Sequence, residues 1–111
     1  MTYYIQTVTS APVPGREDDY HHWYEHTHMP EVLRVPGFVS GRRYIEHGDG
    51  GGPRYLAVYE IQTDDIDATL AAMAAAGPQM TLSDALDPQS LTVTVYEALA
   101  GQNADATQEK N

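Results

Sequence analysis

The chain has 111 residues and is 41% hydrophobic, enough for one domain with one modest core and too apolar for a disordered polypeptide. Sixteen acidic against six basic residues leave a net charge of -10, which repels phosphate backbones and anionic lipid, so neither nucleic acid nor a membrane surface is expected as a partner. There is no cysteine, which removes disulfides, thiolate metal sites and cysteine nucleophiles together.

The opening residues, MTYYIQTVTS, lack a basic start followed by an apolar run, so no signal peptide is expected. No later stretch is long and apolar enough to span a bilayer, and the expectation is a soluble, cytoplasmic protein. Residues Thr2 to Thr9 are β-branched and aromatic, which suits a strand. SAPVPG breaks regular structure, and REDDYHHWYEHTHMP then reads as a helix with an acidic first turn. In it Tyr20, Trp23, Tyr24 and Thr27 follow the i, i+3, i+4, i+7 spacing of a buried stripe. Pro30 ends this helix or begins a further short turn through EVLR, because the residue before proline avoids the helical region. VSGRRYIEH and RYLAVYEI read as antiparallel strands joined by the flexible connection GDGGGP. TDDIDATLAAMAAAGP is a helix with aspartates at its start and Gly77-Pro78 as its stop. QMTLSDALDPQS is a loop with room for one helical turn, and LTVTVYEAL is the fourth strand. Residues 1–99 form the single domain, and 100–111 are small and polar, a flexible tail.

The order β-α-β-β-α-β predicts an α+β, ferredoxin-like fold, a four-stranded antiparallel sheet with both helices on one face. The other sheet face carries apolar residues and needs cover. A second copy of the chain supplies it most simply, so a homodimer is expected.

Four of the five histidines lie within HHWYEHTHMP, His21 to Pro30. At roughly 100° per residue, His22 and His26 point outward. Their i, i+4 spacing suits a metal, but two imidazoles supply half a tetrahedral shell, and solvated side chains are the better reading. His21, Glu25 and His28 offer two imidazoles and a carboxylate, yet His21 and His28 sit two turns apart, and no metal site is expected. His28 falls where the buried stripe meets the polar face. A neutral imidazole there can act as general acid or base. From spacing alone, a partly buried histidine bonded to a backbone carbonyl is the commoner case.

Tyr44, Tyr55, Tyr59 and Tyr96 fall on strands, where a hydroxyl facing a cleft can stabilise an oxyanion and an ordinary half-buried tyrosine is more frequent. Alternation sends one of Arg42 and Arg43 to each face of the second strand, and a cleft-facing arginine could hold a carboxylate or enolate. GDGGGP joins two strands and opens no helix, so it is not a phosphate-binding loop.

The segment WYEHTHMPEVLRVPGFVSGRRY, Trp23 to Tyr44, resembles the helix-to-strand signature of EthD-like proteins in the dimeric α+β barrel superfamily. The matching residues are Trp23-Tyr24, His28-Met29-Pro30, Pro36-Gly37-Phe38 and Arg43-Tyr44. The resemblance implies a dimer whose sheets pack into a barrel, with a pocket between sheet and helices in each protomer. Relatives include cofactor-free monooxygenases, muconolactone-type isomerases, polyketide cyclases and haem-binding enzymes. The family's histidine maps onto His28, and Thr27 stands where many relatives carry an acidic residue.

The expectation is therefore a small enzyme working without a cofactor on an apolar, aromatic or lactone-like metabolite, as an isomerase, cyclase or lyase. His28 moves a proton, and Tyr24 and Tyr44 position the substrate or stabilise an enolate. Trp23 forms a pocket wall, and Phe38, Arg43 and Tyr59 complete the substrate-binding set. The alternatives are a non-catalytic small-molecule binding protein and a haem-binding, monooxygenase-like protein.

Overall fold

The computed structural model describes residues 2–48 and 55–104. The GDGGGP connection beyond Gly48, and the tail from residue 105 onward, lie outside the described residues. The strands are β1 (Thr2–Ser10), β2 (Phe38–Ile45), β3 (Tyr55–Thr63) and β4 (Thr92–Glu97), in the spatial order β2-β3-β1-β4. Every neighbouring pair is antiparallel, which is the ferredoxin-like arrangement.

Direct partners share a face, so the register sorts the side chains. Gln6 lies opposite Tyr59 and Val95, and Val8 opposite Ala57 and Val93. These residues face the helices. On β2 a register shift between Phe38 and Ser40 resets the alternation. Beyond it Gly41 pairs with Tyr59 and Arg43 with Ala57 on the helix side, while Arg42 and Tyr44 face the other way.

The first helical segment does not stop at Pro30. It runs from α1 (Glu17–Trp23) through a π-helical turn (Tyr24–His28) into α2 (Met29–Val32). Met29, expected to leave the helical region, keeps φ -59° and ψ -45°. A proline ring collides with the carbonyl four residues earlier, here that of His26, and brings no N–H to the ladder. The wider turn accommodates this, with the Met29 N–H reaching back to the Tyr24 carbonyl. The second helix, α3 (Ile66–Ala76), starts where the Asp65 carboxylate accepts from Ala68 N at 3.1 Å. Short 3₁₀ turns at Gly77–Gln79 and Pro88–Ser90 punctuate the loop that returns to β4.

Tyr20, Trp23, Tyr24 and Val32 from the first helical segment pack onto Val8, Ala57, Tyr59 and Ile61 of the sheet. Burying each large member of this set stabilises the fold by about 1.5–3 kcal/mol. Gly37, at φ +97°, makes the turn into β2 and its Cα faces the Thr69 side chain, where a Cβ would lie 3.0 Å from Thr69 Cγ2. The opposite sheet face leaves Tyr3, Ile5, Tyr44 and Tyr96 between 36% and 53% exposed. No helix among the described residues is long and apolar enough to cross a membrane.

Candidate functional site

A cavity of about 270 Å³ opens between the sheet and the helices. Its floor is Gln6 and Val8 of β1, Tyr59 of β3 and Val93 of β4. Trp23, Tyr24, His28 and Val32 form one wall, and Met73, Met80 and Leu86 form the other. The loop after α3 is tied across this opening. Trp23 Nε1 donates to the Thr81 carbonyl at 2.9 Å, and the Glu31 carboxylate accepts from Thr81 N at 3.0 Å and from Thr81 Oγ1 at 3.2 Å.

The π turn sets His28. An i→i+5 repeat aligns residue 28 with residue 23, and the His28 ring stacks on Trp23 at 4.7 Å with 20° between planes. Tyr24 meets the same imidazole edge-on at 5.3 Å. His28 Nδ1 is buried and has no hydrogen-bond partner among the described residues. Burial holds the imidazole below the ordinary histidine range, only partly opposed by the nearby Glu31 carboxylate, so the ring is neutral at pH 7.

Tyr59 is 1% exposed, and its buried Oη faces the Tyr24 hydroxyl without meeting any partner in full hydrogen-bonding geometry. Burial raises its phenol well above the usual range, helped by the facing Tyr24. Burial also pushes Tyr24 up to about 12. Both phenols are therefore neutral donors at any physiological pH.

Of the seven residues expected at the site, His28, Tyr24, Trp23 and Tyr59 converge on this cavity. Phe38 lies beneath it, 6% exposed, with its ring 6.1 Å from that of Tyr59, and supports that residue without lining the cavity. Arg43 and Tyr44 stand elsewhere. Arg43 faces the helices but is spent on neighbours, with Nη1 donating to Glu25 at 2.8 Å, Nη2 3.1 Å from His21 Nδ1, and its guanidinium 4.5 Å over the Tyr24 ring. Tyr44 lies on the outer face of β2, 47% exposed, because the register places Arg43 inward and its successor outward. The two residues border a shallow depression with His21, Glu25 and Tyr55. The His22 and His26 rings lie 4.6 Å apart, tilted by 38°. Among the described residues no three histidine or acidic side chains gather closely enough for a metal ion.

Gln6 was not anticipated, nor were the cavity residues Met73, Met80, Leu86 and Val93. Gln6 had a legible signal: in TYYIQTVT it shares the alternation of Tyr4 and Val8, a polar residue in an inward row. The loop residues had none.

No family model and no curated protein matches the chain. Solved structures do share its fold. One is assigned as an antibiotic-biosynthesis monooxygenase from Bacillus cereus, at TM-score 0.63 and 12% identity, over 94% of this chain and 100% of that one. An EthD family protein from Bacillus halodurans C-125 matches at TM-score 0.60 and 16% identity, over 89% and 100%. A haem-degrading protein from Mycobacterium tuberculosis, in haem-free form, matches at TM-score 0.54 and 15% identity, over 94% and 100%.

Proposed function

We propose that this chain, which shares its ferredoxin-like fold with EthD and monooxygenase-type proteins, is an EthD-like enzyme in which His28 moves a proton within the cavity as general acid–base. The observation that carries this reading is the buried, unpartnered Nδ1 of a neutral imidazole at the wall of a largely apolar cavity. A structural histidine would hydrogen-bond a carbonyl, and leaving a buried polar atom unsatisfied costs about 1–3 kcal/mol. The ring itself lines the cavity, so a ligand seated there is the group that could supply the missing partner.

Proton transfer suffices for isomerisation, cyclisation or elimination of an apolar aromatic or lactone-like metabolite, and the side chains present supply it without a cofactor. Trp23 and Tyr24 hold the imidazole in place and form with it the wall that a ligand's ring meets. The outer sheet face, with Tyr3, Ile5, Tyr44 and Tyr96 exposed, is where a second copy packs to make the working homodimer.

The test needs no known substrate. Small aromatic ketones and enol lactones are incubated with the protein in D₂O, and deuterium uptake at the carbon next to the carbonyl is followed by NMR. The proposal expects accelerated exchange that His28→Gln abolishes. Exchange unaffected by that variant, with a bound ligand returned unchanged, would instead make the chain a binding protein. A haem-binding protein would show a Soret band on haemin addition that the same substitution removes.

A further inference from the structure

None of the residues lining the cavity is aspartate, glutamate, lysine or arginine. The charged groups that act on its wall sit behind it. Glu31 lies on the His28 side, its carboxylate engaged by Thr81. Arg43 lies beyond the Tyr24 ring, paired with Glu25 at 2.8 Å. That arginine is already neutralised, so an anion in the cavity finds no counter-ion, and a cation finds no carboxylate in the wall. Transferring an unpaired ion from water into such surroundings is far more costly than transferring a neutral polar group.

The polar residues that line the cavity are neutral. The Tyr59 hydroxyl is buried beside that of Tyr24, the two phenols facing each other at the cavity, and Gln6, directly opposite Tyr59 across the β1–β3 pair, lines the same floor. The imidazole of His28 stands in the wall. No contact of Tyr59 Oη, that with Tyr24 included, meets full hydrogen-bonding geometry, so a ligand oxygen that accepts from Tyr59 makes the better bond.

Building on the reading of this cavity as the functional site, we propose that it selects uncharged ligands and that Tyr59 Oη donates to a hydroxyl or carbonyl oxygen of the bound molecule. This sets neutral phenols, ketones and lactones apart from aromatic or lactone carboxylates.

Four matched probes test it: 2-naphthol, naphthalene, 2-naphthoate and naphthylmethylammonium, each titrated by calorimetry at pH 7. The chain's single tryptophan lines the cavity, so the indole N–H resonance of Trp23 reports whether a probe is seated there. Naphthol is expected to shift that resonance and to bind at least about 100-fold more tightly than either ion. Tyr59→Phe should weaken naphthol about three- to tenfold and leave naphthalene unchanged, the signature of one lost hydrogen bond to a neutral partner. If either ion shifts Trp23 and binds as tightly as naphthol, charge selection is overturned while the cavity stands as a binding site. Equal naphthol affinity in Tyr59→Phe overturns the role of Tyr59. If none of the four probes moves the Trp23 resonance, the cavity reading fails, and this inference with it.

Discussion

Replacing Gly41 by alanine places a methyl group where the Tyr59 ring crosses β2. The added Cβ would lie 3.0 Å from Tyr59 Cδ1, 3.1 Å from Cε1 and 3.2 Å from Met29 Sδ. Carbon atoms prefer a separation of about 3.5–4.0 Å, so the ring must retreat by roughly 0.5 Å. Tyr59 is 1% exposed and is flanked by Phe38, so any retreat is towards the cavity whose floor it forms, at the cost of its present packing. Overpacking of this kind costs about 1–3 kcal/mol. The backbone at Gly41 is not in the left-handed region, so alanine fits it, and the stiffer unfolded chain returns about 0.4–1 kcal/mol. The net expectation is a loss of about 1–2 kcal/mol, read as a fall in Tm of roughly 5–10 °C. Urea and thermal denaturation measure it, and a double-mutant cycle assigns it. In a Tyr59→Leu background the penalty should shrink or reverse, because the offended ring is gone. Gly41→Ala as stable as the parent, or equally damaging without the tyrosine, would refute the argument.

Two further outcomes follow from the same packing. Burial holds His28 below its ordinary value of 6.5, so as pH falls the unfolded chain takes up this proton before the folded one does. The stabilising contribution is thus complete above about pH 6.5 and is lost as pH drops from there towards the folded value. The Tm of the parent should therefore fall more between pH 7.5 and 5.5 than that of His28→Gln, and parallel curves would show that the imidazole is not buried as described. On the outer sheet face, Ile5→Lys with Tyr96→Lys should convert a dimer into a folded monomer in light scattering with unchanged circular dichroism. A parent that is monomeric at every concentration removes the dimer proposal.

Much of the fold was legible because it rests on local periodicity. Alternation in TYYIQTVT and RYLAVYEI marks strands with one inward row, and Asp65 followed by an alanine-rich run marks α3. The order of elements then leaves few ways to bury the apolar rows, and the observed sheet follows. Alternation likewise requires Arg42 and Arg43 to part. It does not say which turns inward, because the irregularity between Phe38 and Ser40 resets the phase, and this is why Tyr44 lies outside the cavity.

The sequence by itself determined that Trp23 and Tyr24 belong to a buried stripe and that His28 lies at its margin, since helical spacing is a property of neighbours along the chain. Only the tertiary structure decided what His28 touches. Pro30 continues the helix instead of ending it, and the π turn needed to admit the proline carries the imidazole onto Trp23. The rest of the cavity comes from Gln6, Met73, Met80 and Val93, residues distant in sequence that meet only when the sheet pairs and the loop at Thr81 is tied to Trp23 and Glu31. Local rules report which face a side chain takes, whereas a cavity is the space left between faces, and that depends on every element bounding it.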